Sequence, residues 1–389
     1  MFHIAEKTDI LEGKITDVYF QRTLDILKKK DVNPWVKAEF VAKNLPDKWS
    51  WAVLAGLEEV LQLLKDLPVK VRAMKEGTIF YPNQPVLEIE GYYQDFCVFE
   101  TAILGLLCQA TGIATKAARF KKLAGEHLVM SFGARRMHPA IAPMIERSAY
   151  IGGCDGVSVV KGGLIIGEDP LGTIPHALVI CIGSTVKAIQ AFDEVIDPEV
   201  NRVALIDTFN DEKFECLNVA EALGEKLHAV RFDTPSSRRG DFYHILKEAR
   251  WELDLRGYNH VKIFASGGIK EEELPHLNPL VDAYGIGTSI SNAPVVDFSM
   301  DIVEVDDEPL AKRGKCSGSK KVLRCEKCHE DRVLPMENEF DKCICGGSYE
   351  NLLNPYIDNN EILQDLPEPK QIREYVLEQV KVLPDLKSH

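Results

Sequence analysis

The chain has 389 residues, more than one ordinary hydrophobic core can organise, so two or three domains are expected. Apolar residues make up 45% and charged residues 27%, which excludes an intrinsically disordered chain. A net charge of −14, from 46 Lys and Arg against 60 Asp and Glu, argues against a general nucleic-acid binder, because a phosphate backbone rewards clustered positive charge. No apolar run approaches the ~18 residues of a spanning helix, so no membrane partner is expected. The opening residues, Met1-Phe2-His3-Ile4-Ala5-Glu6-Lys7, lack the basic region and apolar block of a secretory leader, which makes a cytoplasmic location the expectation.

Taken in order, Thr16-Asp17-Val18-Tyr19-Phe20 reads as a cap and a helix start, and Tyr19 by itself reads as a packed tyrosine. Residues 49–56 predict a strand and 57–64 an amphipathic helix. Stretches 69–73, 78–81 and 85–91 alternate in the manner of strands, with Gly77 and Pro82-Asn83 as breaks. Phe96, Phe99, Ile103, Leu107 and Ile113 recur at helical spacing, which predicts a long helix over 94–124. Residues 1–124 are therefore read as a small α/β sandwich with a linking helix.

From 127 to 305 strand-like and helix-like segments alternate. Strands are predicted at 127–132, 155–160, 203–207, 228–233, 261–266, 283–287 and 300–305, with helices at 141–150, 212–223, 242–256 and 271–277. This repetition is that of a parallel α/β barrel or an open wound sheet, so 125–305 is read as a catalytic domain with its chemistry at the C-terminal strand ends.

Those ends carry useful groups. The first is followed by Ser131-Phe132-Gly133-Ala134-Arg135-Arg136-Met137-His138-Pro139, which offers a flat ring and two guanidiniums able to grip a carboxylate or phosphate. Later strands end at Asp207-Thr208 and at Arg231-Phe232-Asp233, with Arg238-Arg239 beyond. Arg231 and Asp233 alternate about Phe232 and share a face; they form a structural ion pair or a ligand-binding pair with Asp207, suited to Mg²⁺ or sugar hydroxyls. Ser266-Gly267-Gly268 and Gly285-Ile286-Gly287-Thr288 fall on consecutive late strands, the usual place for a phosphate. His176, before the apolar run Ala177-Leu178-Val179-Ile180, reads by itself as a packed histidine.

The tail, 306–389, changes character. Lys312-Arg313-Gly314-Lys315 and Lys320-Lys321 form a basic patch. Cys325 and Cys328, then Cys343 and Cys345, make two close thiolate pairs suited to a tetrahedral structural zinc, with His329 a substitute ligand. The other cysteines, Cys97, Cys108, Cys154, Cys181, Cys216 and Cys316, are scattered and read mostly as buried thiols of a reducing compartment. The last residues, from Pro367, read as a proline-led helix and a loose end. A nucleic-acid binder built on the cysteine module and its basic flank is a second reading, and a phosphate-binding barrel without chemistry a third.

In this order the motifs resemble the nicotinate phosphoribosyltransferases, in particular the compact archaeal type with a zinc-knuckle-like C-terminal domain. Glu100-Thr101-Ala102-Ile103-Leu104-Gly105, Thr111-Gly112-Ile113-Ala114-Thr115 and Gly172-Thr173-Ile174-Pro175-His176 add to the likeness. The resemblance implies a type II phosphoribosyltransferase: an N-terminal α/β sandwich, an irregular α/β barrel and a small zinc domain. It implies transfer of phosphoribose from phosphoribosyl pyrophosphate (PRPP) to nicotinate, stimulated by ATP, within NAD biosynthesis. Phe132 would stack on the pyridine and Tyr19, from a partner subunit of a homo-oligomer, would cover its other face. Arg135 would bind the nicotinate carboxylate or nearby phosphates, with Arg238 a further substrate-binding residue. Asp207, Arg231 and Asp233 would hold ribose, pyrophosphate and Mg²⁺, while Gly267, Gly268, Gly287 and Thr288 cradle the 5′-phosphate. His176 matches the histidine that the family phosphorylates with ATP. Asp155 matches the aspartate with which nicotinamide-using relatives meet the amide; ionised there, it would repel nicotinate's carboxylate unless Arg135 offsets it or it points away. The Asp-Thr-Arg-Lys pattern of quinolinate phosphoribosyltransferase is absent, which puts nicotinate ahead of nicotinamide and quinolinate.

Overall fold

The computed structural model describes residues 2–235, 237, 238, 240–339, 342–384 and 386. They form two compact units, Met1–Thr115 with Pro294–Gln379, and Lys116–Ala293 with Val380–His389.

The first unit is built on an antiparallel sheet whose central strands, Trp35–Ala42 and Pro85–Tyr92, are flanked by Phe298–Val305 and by Lys70–Ala73. The stretch 300–305, expected as the last barrel strand, is instead part of this sheet, paired with Trp35–Ala42. Alternation explains the sheet's two faces. Val36, Ala38 and Phe40 enter the core beside Leu57, Leu61 and Leu64 of the helix Leu57–Leu64. Lys37 and Glu39 face the other way and pair with Glu304 at 2.7 Å and Lys320 at 2.8 Å. Lys312 and Lys315 both reach the buried Asp301, at 2.5 Å. Most of the basic patch thus neutralises the unit's own carboxylates, which removes much of the charge on which the nucleic-acid reading depended.

Of the tail 306–389, expected as a domain of its own, residues 306–379 group with the first unit. Asn354–Asp358 joins its sheet beside Lys70–Ala73, and Asp331–Pro335, Lys320–Cys325 and Tyr349–Asn351 make a separate three-stranded sheet. Of the strand expected over 49–56, only Ala52–Val53 forms; Thr115 and Thr111 accept from the Val53 and Ala55 N–H groups at 2.9 and 3.1 Å. Both threonines lie on Glu100–Ala124, a 25-residue helix. The stretch Tyr93–Ala124, which includes this helix, is long and apolar enough by length and composition to cross a membrane. It holds no unbroken apolar run of that length, and more than half of its most apolar window is buried inside the protein, as in a core helix.

The second unit holds six parallel strands: β1 (Leu128–Ser131), β2 (Gly156–Val157), β3 (Arg202–Leu205), β4 (Leu227–Phe232), β5 (Lys262–Ala265) and β6 (Ala283–Ile286). Their order is β2-β1-β6-β5-β4-β3, a curled sheet forming part of a barrel. Val203, Ala229 and Phe264 pack inside it. Glu212–Leu223 and Phe242–Leu255 are the crossover helices that parallel pairing requires. The second strand is shorter than expected, since Val160 already begins the helix Val160–Ile166.

Candidate active site

A cavity of about 1100 Å³ opens at the C-terminal ends of these strands, all of its lining residues belonging to the second unit. That is where a parallel α/β sheet gathers loops and leaves backbone groups unpaired.

Phe132 follows β1 and donates its N–H to the Ile286 carbonyl at 2.9 Å, which carries the β1–β6 pairing one residue further. Its ring meets Phe264 at 5.7 Å, centre to centre. A Cβ on Gly285 would come within 2.7 Å of that ring, so the seat requires glycine. The Arg231 guanidinium carbon stands 5.2 Å from the Phe132 ring centre, within cation–π range.

Arg231 lies on β4 and is held on three sides. It donates to Ser266 Oγ at 2.9 Å and to Thr173 Oγ1 at 2.8 Å, and its Nη2 is 3.2 Å from Asp233 Oδ1. Ser266 Oγ in turn donates to Asp233 Oδ1 at 2.7 Å. The alternation about Phe232 therefore produces both an ion pair and a cavity wall.

His176 begins the helix His176–Ile182, and its Nδ1 is 3.1 Å from Thr208 Oγ1. Its Nε2 faces two acids, at 3.7 Å from Asp207 Oδ1 and 3.5 Å from Asp233 Oδ2. The single-sequence expectation of a packed histidine does not hold, as the side chain is 41% exposed and lines the cavity. Burial pushes the Asp207 carboxyl above its ordinary 3.8; His176 opposes that and the Asp233 charge adds to it. Among the described residues, Asp207 Oδ1 is buried without a hydrogen-bond donor. Two acids facing an open cavity, one with a free lone pair, suit a cation or a developing positive charge.

Gly267, Gly268, Gly287 and Thr288 line the same cavity. Gly267 has φ +88°, and a Cβ there would come within 2.7 Å of the Asp233 carbonyl oxygen. Arg135, Arg136 and Arg238 also line it, the first two exposed on the turn Ala134–Arg136. Ser236 and Arg239, part of the predicted loop, lie outside the described residues.

Two predicted site residues are not among the cavity's lining. Tyr19 is 56% exposed on the helix Val18–Lys30 of the first unit. Asp155 precedes β2, at the N-terminal end of that strand, where its Oδ2 takes the Lys121 ammonium at 2.9 Å and the Val129 N–H at 2.8 Å. Sequence reasoning missed Ser158, which lies just beyond β2 and lines the cavity; the predicted strand 155–160 ran past it and so placed it in mid-strand.

In the first unit the Sγ atoms of Cys325, Cys328, Cys343 and Cys345 all lie within 4.8 Å of one another, with Cys325–Cys345 and Cys328–Cys343 at 3.5 Å. Zinc–thiolate bonds of ~2.3 Å put tetrahedral sulfurs roughly 3.8 Å apart, so the set fits a zinc ion; four thiolates close its shell without His329. Cys325 and Cys343 are buried, as are Cys97, Cys154 and Cys216, whereas Cys181 and Cys316 are exposed and depart from the expectation of buried thiols.

Residues 17–111 and 113–301 match the family models of the N-terminal and C-terminal domains of quinolinate phosphoribosyl transferase. The chain is similar to nicotinate-nucleotide pyrophosphorylase from Pyrococcus furiosus, whose crystal structure is 55% identical, with a TM-score of 0.96 over 98% of each chain. Nicotinate phosphoribosyltransferase pncB1 of Mycobacterium tuberculosis is 29% identical over 356 residues, covering 80% of this chain and 78% of that protein. Human nicotinic acid phosphoribosyltransferase, 20% identical, shares the fold, with a TM-score of 0.79 over 94% of this chain and 93% of that one. The chain belongs to the type II phosphoribosyltransferases, the family that the quinolinate phosphoribosyl transferase domain models describe.

Proposed function

We propose that the enzyme joins nicotinate to PRPP, releasing nicotinate mononucleotide and pyrophosphate in the salvage of NAD. The observation that carries the choice of pyridine is the charge around Phe132. Arg231 approaches the ring and Arg135 lines the cavity, while Asp155, the carboxylate expected at the ring's edge, is engaged by Lys121 and the Val129 amide. A negatively charged ring substituent would meet these guanidiniums, and the Asp155 carboxylate would not oppose it there.

In this reading Phe132 stacks on the pyridine and Arg135 takes its carboxylate. The 5′-phosphate rests on Gly267, Gly268, Gly287 and Thr288, with Arg238 as a further anion contact. As the sugar C1–pyrophosphate bond breaks, positive charge builds on the ribose, and Asp207 and Asp233 face it while Arg231 steadies Asp233. Asp207 and Asp233 would hold Mg²⁺, which supplies charge neutralisation for pyrophosphate when bound. His176, between the two acids and Thr208, is the residue that ATP would phosphorylate, as the resemblance implies. Tyr19 of a second copy would complete the ring's other face, which makes a homo-oligomer part of the proposal, as are a structural zinc and a cytoplasmic setting.

Quinolinate is the second reading, favoured by the two family models and by the presence of Arg136 and Arg238 in addition to Arg135. Pyrophosphate release is measured with PRPP and nicotinate, nicotinamide or quinolinate, each with and without ATP. Turnover with nicotinate, enhanced by ATP, is expected; turnover confined to either other pyridine would replace this reading.

A further inference from the structure

One buried carboxylate holds together the ends of two neighbouring barrel strands. Glu146, on the helix Ala142–Ile151, is 0% exposed. Its Oε1 accepts from Ser131 Oγ at 2.9 Å, and its Oε2 accepts from the Ser158 and Val159 N–H groups at 2.6 and 3.0 Å. Ser131 ends β1 and is followed by Phe132; Ser158 follows β2 and lines the same cavity. The parallel ladder between these strands stops at the Ser131–Val157 pair, so backbone pairing does not hold what lies beyond. The donors that meet Glu146 are neutral, and burial among them pushes its carboxyl above the ordinary range. An apolar side chain would fill the space without that cost, and would leave two amides and a hydroxyl unpaired. A Cβ on Gly162 would come within 2.7 Å of the Glu146 Cβ, so the helix Val160–Ile166 is seated closely against this side chain.

We propose that Glu146 is a positioning residue that fixes the spacing between Phe132 and Ser158, and thereby the width of the cavity wall that faces the pyridine. That a pyridine faces this wall rests on the functional reading above; the clamp does not.

The test uses the full chain and the variants Glu146→Ala, Glu146→Gln and Ser131→Ala. Hydrogen exchange, followed by mass spectrometry over residues 129–136 and 156–163, reads the clamp without substrate. Loss of a buried acceptor predicts exchange at Ser158 and Val159 roughly tenfold faster in Glu146→Ala, with Glu146→Gln close to wild type. Unchanged exchange in Glu146→Ala would overturn the clamp. Should that variant not fold, Ser131→Ala decides: faster exchange over 129–136 supports the clamp, and wild-type exchange overturns it.

Kinetics read the consequence. The pyridine KM should rise about tenfold in Glu146→Ala and about threefold in Ser131→Ala, with the PRPP KM within about twofold and recovery in Glu146→Gln. An equal rise in both KM values, or a fall in kcat alone, would overturn the positioning role. A wild-type enzyme inactive with every pyridine would defeat the functional reading, while hydrogen exchange would still decide the clamp.

Discussion

His176 presents Nε2, at 3.7 Å, to an Asp207 oxygen that no described residue supplies with a hydrogen bond. A buried acid left in that state is held for use and not for stability. Its folded pKa lies above the ordinary 3.8 because burial disfavours the anion. The ionised form therefore weakens the fold, a penalty absent below the ordinary value and growing as pH rises through the folded one. Asp207→Asn should raise Tm at pH 7 and lose that gain in acid, while activity falls about a hundredfold or more. Thermal melts at both pH values with parallel turnover check this; a lower Tm at pH 7 with near-normal activity would contradict it.

Phe132 carries the ring-binding part of the account. Phe132→Leu keeps apolar bulk against Phe264 and removes the flat face. An aromatic contact worth ~0.5–1.5 kcal/mol predicts up to about a tenfold rise in nicotinate KM. The KM for PRPP should hold, since the glycine loops are untouched. Equal losses for both substrates would point to general damage.

The cysteine cluster should bring about one zinc per chain, measured by metal analysis of protein purified without added metal. Its module is tied into the first unit by Arg324, which donates to the Ile79 carbonyl at 2.6 Å, and by Gln84, which donates to Asp331 at 2.9 Å. Chelation, or Cys328→Ser, should therefore lower Tm. Below the new transition kcat should stay within about twofold, because a closed thiolate shell has no open position for chemistry. Absence of zinc together with an unchanged Tm on chelation would contradict this.

Local signals in the sequence located much of the barrel. Phe132, His176, Asp207, Arg231, Asp233 and Gly267 do share one cavity, because strand ends in a parallel sheet are fixed by the alternation that marks the strands. Pairing across the chain was less legible. The period-two pattern of Val36, Ala38 and Phe40 marks a strand but not its partner, and 300–305, more than 250 residues away, looks from its neighbours like one more strand of the barrel it follows. Asp155 shows a related limit: a motif gives order along the chain, while the side chain sits at the base of β2, the end of the strand away from the cavity. Glu146 left no trace, since a glutamate in a helical pattern reads as a solvated face until burial is known.

Crystals grown with nicotinate mononucleotide would show whether one cavity takes both the pyridine and the sugar phosphate. The ring is expected to stack on Phe132, with its carboxylate toward Arg135 and the 5′-phosphate against Gly267, Gly268 and Gly287. A nucleotide bound with its phosphate beside Phe132, or in a different cavity, would contradict that arrangement.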